Sequence, residues 1–370
     1  MMRAAVLLVG ALGALTHCST PRTAPDAPRL GQLAAWVVDW DMDAGLDELH
    51  RHEDLFDEVG LFGVRFDADD RLLIPPAVQE GSAKLLAWRR GGSRAVWLTV
   101  VNDRQLDDGT FSHKDPDLVD RLLADGGAQH ARDLVGLLAR MDVDGLELDY
   151  EDVSADSWPR LLRFADSLRD RLISEGKDLR LITQPRRPYL DLKSAGTPVA
   201  IMAYNLYGTH SGPGPKTTPE FVTRLGQALD DAGVLPGARI ALPTGGFLWR
   251  PGGETRSVTE VEALLLQSVD GAGRLRRTPY EYPFFSVAEG DDGRSEIWYQ
   301  DAASIEGQIV AALAAGFDEI TLWRLGGNDD TLFEMLRGYR QPSAPTRLLG
   351  DSARDDQKRN RNVLQKRRPM

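Results

Sequence analysis

A (β/α)₈ barrel of the TIM type, an α/β fold, is what the 370-residue sequence predicts for residues 31–340. Eight short apolar runs alternate there with longer segments of helical periodicity, and most of the runs are apolar almost throughout. Parallel strands covered by helices have this composition. The alternative is a doubly wound open sheet, which is disfavoured because no Gly-rich phosphate loop follows the first run.

The predicted strands lie at 33–40, 59–66, 95–101, 145–150, 179–183, 198–204, 239–245 and 319–325. The predicted helices lie at 116–141, 157–176, 218–233 and 304–316, where apolar residues recur every three or four positions. The stretch 249–296 is too long for a simple loop. It contains a helical pattern at 258–269 and a hairpin pattern at 284–299 with its turn at Asp292-Gly293, so a small α+β insertion is predicted between strands seven and eight.

The two ends of the chain differ from the barrel in composition. Residues 1–18 combine an early Arg3 with an apolar run too short to span a bilayer, which predicts a signal peptide. The only cysteine, Cys18, ends this run in LTHC, which resembles a bacterial lipobox. We therefore expect membrane attachment through lipidated Cys18, with simple secretion as the alternative. Residues 19–30 predict a Pro-rich tether, and 341–370 a basic, disordered tail.

The net charge of the chain indicates which classes of partner it is suited to bind. The formal net charge is −12, and the basic tail leaves the barrel more acidic still. An acidic body disfavours nucleic acid as a partner and suits a neutral or cationic substrate.

Three acids alternate with apolar residues in VDGLELDYED, residues 143–152. The strand period of two places Glu147, Asp149 and Glu151 on one side, with neighbouring Cα atoms about 6.6 Å apart. Three carboxyl groups so close cannot all ionise cheaply, so at least one pKa is expected to rise. Glu151 lies at the carboxyl end of the strand, where barrels of this type carry their active sites. A protonated acid there suits the cleavage of glycosides, while a loop-facing acid cluster or a Mg²⁺ or Ca²⁺ site is the alternative.

Five stretches resemble, in chain order, the motifs of glycoside hydrolase family 18. They are DGLELDYE (144–151), IMAYN (201–205), ALPTGGFLW (241–249), IWYQDAASI (297–305) and LWRLGGND (322–329). The first is similar to the family's fourth-strand signature D-G-x-D-x-D-x-E. The WRLGG form, with SGPGP after the sixth strand, is similar to the branch that contains spore-germination and cell-wall hydrolases. The resemblance covers about residues 33–338.

The resemblance implies substrate-assisted, retaining hydrolysis of β-linked N-acetylglucosamine glycans, either peptidoglycan or chitin-like. Glu151 would protonate the glycosidic oxygen and later act as base, while Asp149 would orient the attacking acetamide. Tyr204 would hydrogen-bond the acetamide oxygen, and Trp323 would form an apolar floor under the sugar. Further candidates for substrate binding are Trp36, Met202 and Asn205. Of the tryptophans near strand ends, one or two are expected to be sugar platforms; these are Trp36, Trp40, Trp97 and Trp249.

The sequence departs from the family pattern at three places. Glu147 stands where the family has Asp, which adds a methylene beside Asp149 and is expected to alter how the two share a proton. Asn205 replaces an Asp, and Gly245 or Gly246 replaces the aromatic residue of strand seven. These departures leave open a carbohydrate-binding protein that has lost turnover. A metal-dependent hydrolase is a third alternative, although no metal or cofactor is expected because histidine spacings and phosphate loops of the usual kinds are absent from the sequence.

Overall fold

The computed structural model describes residues 29–185, 189–193, 195–288 and 293–340. The signal-peptide prediction, Cys18, the tether up to residue 28 and the basic tail lie outside these ranges.

Fifteen strands and ten α-helices lie in the described ranges. The strands are β1 Gln32–Val38, β2 Glu58–Phe66, β3 Leu72–Leu73, β4 Ala95–Gln105, β5 Phe111–Ser112, β6 Gly145–Asp149, β7 Asp178–Thr183, β8 Val199–Met202, β9 Ala238–Pro243, β10 Gly246–Trp249, β11 Thr255–Val258, β12 Arg276–Arg277, β13 Pro283–Ala288, β14 Arg294–Tyr299 and β15 Glu319–Trp323. The helices are α1 Met42–Arg51, α2 Pro76–Arg90, α3 Pro116–Leu122, α4 Ala128–Met141, α5 Trp158–Ser174, α6 Tyr189–Lys193, α7 Pro219–Asp231, α8 Glu260–Gln267, α9 Ala302–Ala314 and α10 Asp330–Tyr339.

Eight parallel strands close into a barrel, which confirms the predicted fold. Their order is β1, β2, β4, β6, β7, β8, β9 and β15, and β15 pairs in parallel with β1. Each of the eight predicted runs overlaps one of these strands. Leucines, valines and isoleucines of the outer strand faces pack with the helices in one continuous apolar core. The β6 side chains of Leu146 and Leu148 belong to this core, so the acids between them point into the barrel.

The helix predicted at 116–141 is wrong in one respect, because the chain breaks there into α3 and α4. Asp125, Gly126 and Gly127 between the two helices all have positive φ values, of 50°, 76° and 71°. Glycine adopts this left-handed conformation without a steric penalty, so the Gly-Gly pair permits the break. The structure also adds α1, α2, α6 and α10 to the predicted helices.

Between β9 and α9 the chain forms a second, five-stranded sheet in the order β11, β10, β14, β13, β12. All its pairings are antiparallel, and with α8 it encloses a small apolar core of its own. Strands β13 and β14 form the predicted hairpin, although Asp292 of its predicted turn lies outside the described residues. This sheet stands beside the carboxyl ends of β9 and β15 and contributes walls to the barrel mouth.

The amino ends of the barrel strands hold a buried network of charges. Arg239 donates to Glu58 at 2.5 Å, to Gln32 at 2.7 Å and to Glu319 at 3.0 Å. Because each charge there has an opposite charge as partner, the lower barrel interior is polar without being electrostatically unbalanced. No helix in the part of the chain that the structure describes has the length and apolarity needed to cross a membrane.

Candidate active site

Two of the three acids lie on β6 and the third follows it, so that together they lead towards the carboxyl-terminal mouth of the barrel. Glu147 and Asp149 are 1% and 6% exposed. Glu151 follows the strand by two residues, and its side chain is 14% exposed. Exposure to solvent therefore increases along the chain from Glu147 to Glu151, and Glu151 is the acid nearest to a substrate.

Glu147 is held by four donated hydrogen bonds. Its Oε2 accepts from the indole of Trp36 at 2.6 Å and from the hydroxyl of Thr99 at 2.5 Å. Its Oε1 accepts from Arg180 Nη2 at 2.5 Å and Nε at 3.2 Å. Since both oxygens are occupied, Glu147 forms an ion pair with Arg180 where we expected it to share a proton with Asp149. Arg180 lies directly across from Glu147 on the neighbouring strand β7.

Asp149 is the acid whose pKa rises. Burial raises the pKa of Asp149 well above its usual value, the negative charge of Glu151 raises it further, and Lys114 opposes the shift. Its Oδ1 is buried and has no hydrogen-bond partner among the described residues. One pKa of the three acids is therefore raised, as expected; it belongs to the middle acid, and burial contributes more to the shift than the neighbouring charges do.

Glu151 is fixed by residues that no motif indicated. Lys114 Nζ and Gln184 Nε2 both donate to its Oε2, each at 2.8 Å. Asn102 clamps its backbone, accepting from the Glu151 N–H and donating to the Glu151 carbonyl, both at 2.9 Å. Although burial opposes it, attraction by Glu151 and the neighbouring acids raises the pKa of Lys114. The carboxyl group that faces the mouth is therefore held against a cation.

An aromatic cluster borders the acids. Trp323 ends β15, and its ring meets Phe62 edge-on at 4.7 Å and lies nearly parallel to the Tyr204 ring at 6.5 Å. Burial, together with the three acids, raises the pKa of Tyr204 well above its usual value. This hydroxyl therefore stays protonated and can donate a hydrogen bond.

Two residues named as substrate contacts lie beneath this cluster. Trp36 is 1% exposed and its N–H is taken by Glu147, and Met202 is buried beside it in the same apolar cluster. Both support the floor from below. Of the four strand-end tryptophans, Trp40 alone is well exposed, at 61%, and it meets Trp323 edge-on at 6.4 Å.

Two cavities open on either side of the Tyr204–Trp323 pair. The first, the Tyr204 cavity, has a volume of about 510 Å³ and is lined by Tyr204, Asn205, Lys114, Gln184, Phe247 and others. The second, the Trp40 cavity, has a volume of about 230 Å³ and is lined by Trp40, Trp323, Lys216, Arg324, Glu262 and others. We call the two cavities together the groove. Lys114 and Gln184, which donate to Glu151, line the first cavity, so this acid lies beside the groove.

The other departures from the family motifs have structural causes. Asn205 is exposed at the wall of the Tyr204 cavity and has a φ of 72°, a conformation that asparagine tolerates better than most residues. A Cβ on Gly245 or Gly246 would lie 2.5 Å from the Val258 carbonyl oxygen or 1.9 Å from that of Trp298. The docked second sheet therefore excludes an aromatic side chain at either glycine.

Within the described ranges, no group of three or more histidine, cysteine, aspartate or glutamate side chains is arranged to hold a metal ion. Glu147 and Glu151 are instead engaged with the donors described above.

The chain was compared with family models, with curated proteins and with solved structures. No family model matches the chain. It is 24% identical over 267 residues to the putative sporulation-specific glycosylase YdhD of Bacillus subtilis, a match that covers 67% of this chain and 61% of that protein. The chain thus spans less than two thirds of the length of this curated relative.

Solved structures share the fold. A chitinase from Chromobacterium violaceum superposes with a TM-score of 0.72 at 18% identity, over 84% of this chain and 99% of that one. The spore cortex-lytic enzyme SleL of Bacillus cereus gives 0.72 at 18% identity, over 86% and 76%. A class V chitinase from Nicotiana tobaccum, solved in complex with NAG4, gives 0.68 at 15% identity, over 83% and 98%. In its fold, its five motifs and these relatives, the chain is similar to glycoside hydrolase family 18 and to that family's spore and cell-wall branch.

Proposed function

We propose that this chain is a glycosidase that cleaves β-linked N-acetylglucosamine glycans, with Glu151 as acid and then base. The observation that carries the proposal is the pairing of a buried Asp149, whose pKa is raised by burial and by the charge of Glu151, with a more exposed Glu151 at the barrel mouth. Relatives named as chitinases and as cortex-lytic enzymes support a glycosidase acting on glycans of this class. The envelope address expected from the leader suits peptidoglycan better than chitin.

In the proposed reaction, Glu151 gives its proton to the glycosidic oxygen as the bond to the anomeric carbon breaks. The substrate's acetamide oxygen forms a new bond to that carbon, and Asp149 stabilises the positive charge that develops on the acetamide. Water then attacks the anomeric carbon and loses a proton to Glu151, so the configuration is retained. Because burial and the charge of Glu151 raise the pKa of Asp149, Asp149 can hold the proton that passes to Glu151 before cleavage begins.

The remaining residues of the cluster serve the reacting sugar. The hydroxyl of Tyr204 is available to donate to the acetamide oxygen, and the ring of Trp323 offers an apolar face to the C–H side of the sugar. Lys114 and Gln184 hold the Glu151 carboxyl group towards the groove.

A carbohydrate-binding protein without turnover is the second candidate. The observation in its favour is the ion pair between Lys114 and Glu151, in which the carboxyl group that has to donate a proton already accepts a hydrogen bond from a cation.

The deciding experiment compares the wild type with Glu151→Gln on aryl glycosides of N-acetylglucosamine oligomers and on purified peptidoglycan. Loss of a general acid is expected to lower kcat about 10²- to 10⁴-fold while binding is retained. Glu175→Gln, at the end of α5, is the matched control and is expected to be fully active. Proton NMR of the first product should show the retained β anomer. Binding of the oligomers by a wild type that releases no product would establish the second candidate instead.

For the location we propose attachment at the cell envelope through Cys18, on the evidence of the leader alone. Cys18→Ser is expected to move the protein from the membrane fraction to the soluble one. An unchanged distribution between the fractions would contradict lipid attachment.

A further inference from the structure

One cation of the groove has no carboxylate partner in the structure as described. Lys216, in the loop between β8 and α7, lines the Trp40 cavity. Its Nζ donates to the backbone carbonyl of Thr244 at 2.9 Å and lies 5.3 Å from the centre of the Phe247 ring. Both contacts are with uncharged groups. Lys84 and Lys114, by contrast, each donate to a carboxylate, at 2.9 Å and 2.8 Å.

The acids near this cavity do not neutralise Lys216. Glu262 pairs with Arg256 at 2.6 Å, and Asp41 pairs with Arg324 at 2.6 Å. Burial, with a contribution from Arg324, lowers the pKa of Lys216 to about 8. The ammonium group is therefore still mainly charged at neutral pH, in a place where its charge is costly. An anionic ligand would offset that cost.

The Trp40 cavity is built to take a sugar next to the reacting one. Its wall includes the exposed ring of Trp40 and the ring of Trp323, whose other neighbour is Tyr204. A sugar stacked there would neighbour a sugar held at Tyr204, because the Trp323 ring contacts both Trp40 and Tyr204. Its substituents would then lie beside Lys216.

Resting on the glycosidase function proposed above, we propose that Lys216 binds a carboxylate carried by the sugar that neighbours the reacting one. The substrate is then an acidic amino-sugar strand. The acidic unit is the 3-O-lactyl ether of N-acetylglucosamine, which is N-acetylmuramic acid. In a strand where this unit alternates with N-acetylglucosamine, a neutral sugar at the reacting position has acidic neighbours on both sides. An uncharged N-acetylglucosamine polymer would leave Lys216 unpaired.

The test uses three variants of the full chain. Lys216→Met removes the charge at similar length, and Lys216→Arg keeps it. The matched control is Lys84→Met, which removes an exposed lysine on α2. Substrates are alternating glycan strands freed of their stem peptides, the same strands with carboxyl groups reduced, strands that keep their stem peptides, and an uncharged N-acetylglucosamine tetramer.

Lys216→Met is expected to lower kcat/KM on the stripped acidic strands about 10- to 100-fold, the usual effect of losing a hydrogen bond to a charged group. Its rate on the reduced strands and on the tetramer should stay within about twofold of wild type, as expected where no charged contact is lost. Lys216→Arg should keep most of the activity and Lys84→Met all of it. An effect confined to strands with stem peptides would assign the carboxylate to the peptide and overturn the proposal. An equal loss on charged and uncharged substrates, or no loss on the acidic strands, would overturn it too.

Binding measurements separate this proposal from the function it rests on. If the wild type cleaves nothing, its affinity for stripped and for carboxyl-reduced strands is measured by calorimetry, with Lys216→Met beside it. A preference for the acidic strand that Lys216→Met abolishes would support the carboxylate site while the hydrolytic function fails. Turnover that does not discriminate between the two strands would leave the hydrolytic function intact and refute the carboxylate site.

Discussion

Removing the guanidinium of Arg180 should destabilise the barrel, because it leaves Glu147 charged and buried. The two side chains are 7% and 1% exposed, and Arg180 supplies both hydrogen bonds to Glu147 Oε1. Breaking such a pair from one side costs about 3–5 kcal/mol. With a shift of about 2 °C per kcal/mol for a barrel of this size, Arg180→Met should lower Tm by about 6–10 °C. Glu58 keeps its bond from Arg239 and is not orphaned.

A double-mutant cycle isolates the ion pair. Glu147→Gln in the Arg180→Met background removes the unpaired charge and retains an oxygen for Trp36 and Thr99, so most of the lost stability should return. Urea unfolding followed by circular dichroism gives the four free energies of unfolding, and the coupling energy should exceed about 2 kcal/mol. Arg169→Met is the matched control, because Arg169 pairs with Asp178 in a half-exposed position. This substitution should lower the free energy of unfolding by at most about 1 kcal/mol. The reasoning is refuted if Arg180→Met costs no more than the control, or if Glu147→Gln restores nothing.

Two further predictions concern pH. Because the pKa of Asp149 is raised in the folded state, this group keeps a proton that the unfolded state releases near pH 4. The free energy of unfolding therefore decreases as the pH rises from about 4 towards the folded-state pKa. Asp149→Asn should therefore be more stable than wild type at pH 7 and lose that advantage below about pH 4, with kcat lower by about 10²- to 10³-fold; a pH-independent difference in urea midpoint would contradict this. His130 is stacked on Phe164, and burial lowers the pKa of His130 to about 3. The free energy of unfolding of the wild type should therefore fall by up to about 1.4 kcal/mol per pH unit below the unfolded-state pKa of about 6.5. His130→Gln should remove this part of the dependence of stability on pH. Identical slopes in the two proteins would count against a neutral buried His130.

The arrangement of β6 was predictable because it depends on the backbone alone. A strand turns alternate side chains to opposite faces whatever surrounds it, so GLELD places Glu147 and Asp149 inside once Leu146 and Leu148 are outside. The barrel was also predictable, because its eight strands are local apolar runs that alternate with helical patterns. Helix patterns were less decisive, since the break between α3 and α4 depends on the left-handed residues at 125–127.

The partners of the acids were not predictable, because they come from distant parts of the chain. Arg180 and Gln184 each lie 33 residues from the acid they contact, and Lys114 lies 37 residues from Glu151. A single lysine or glutamine in a loop has no periodicity or spacing that would mark it.

The sequence by itself determined the barrel, the order of the acids and the aromatic residues available to the groove, since each follows from local backbone geometry and the burial of apolar runs. The tertiary structure alone decided in which acid the pKa rises, which strand-end tryptophan is open to a ligand, and that the described part of the chain offers Lys216 no carboxylate partner. Trp36 and Trp40 show the difference, for they are four residues apart on the same strand end and yet are 1% and 61% exposed. Protonation and exposure depend on the groups that packing brings together, and those groups are separated along the chain.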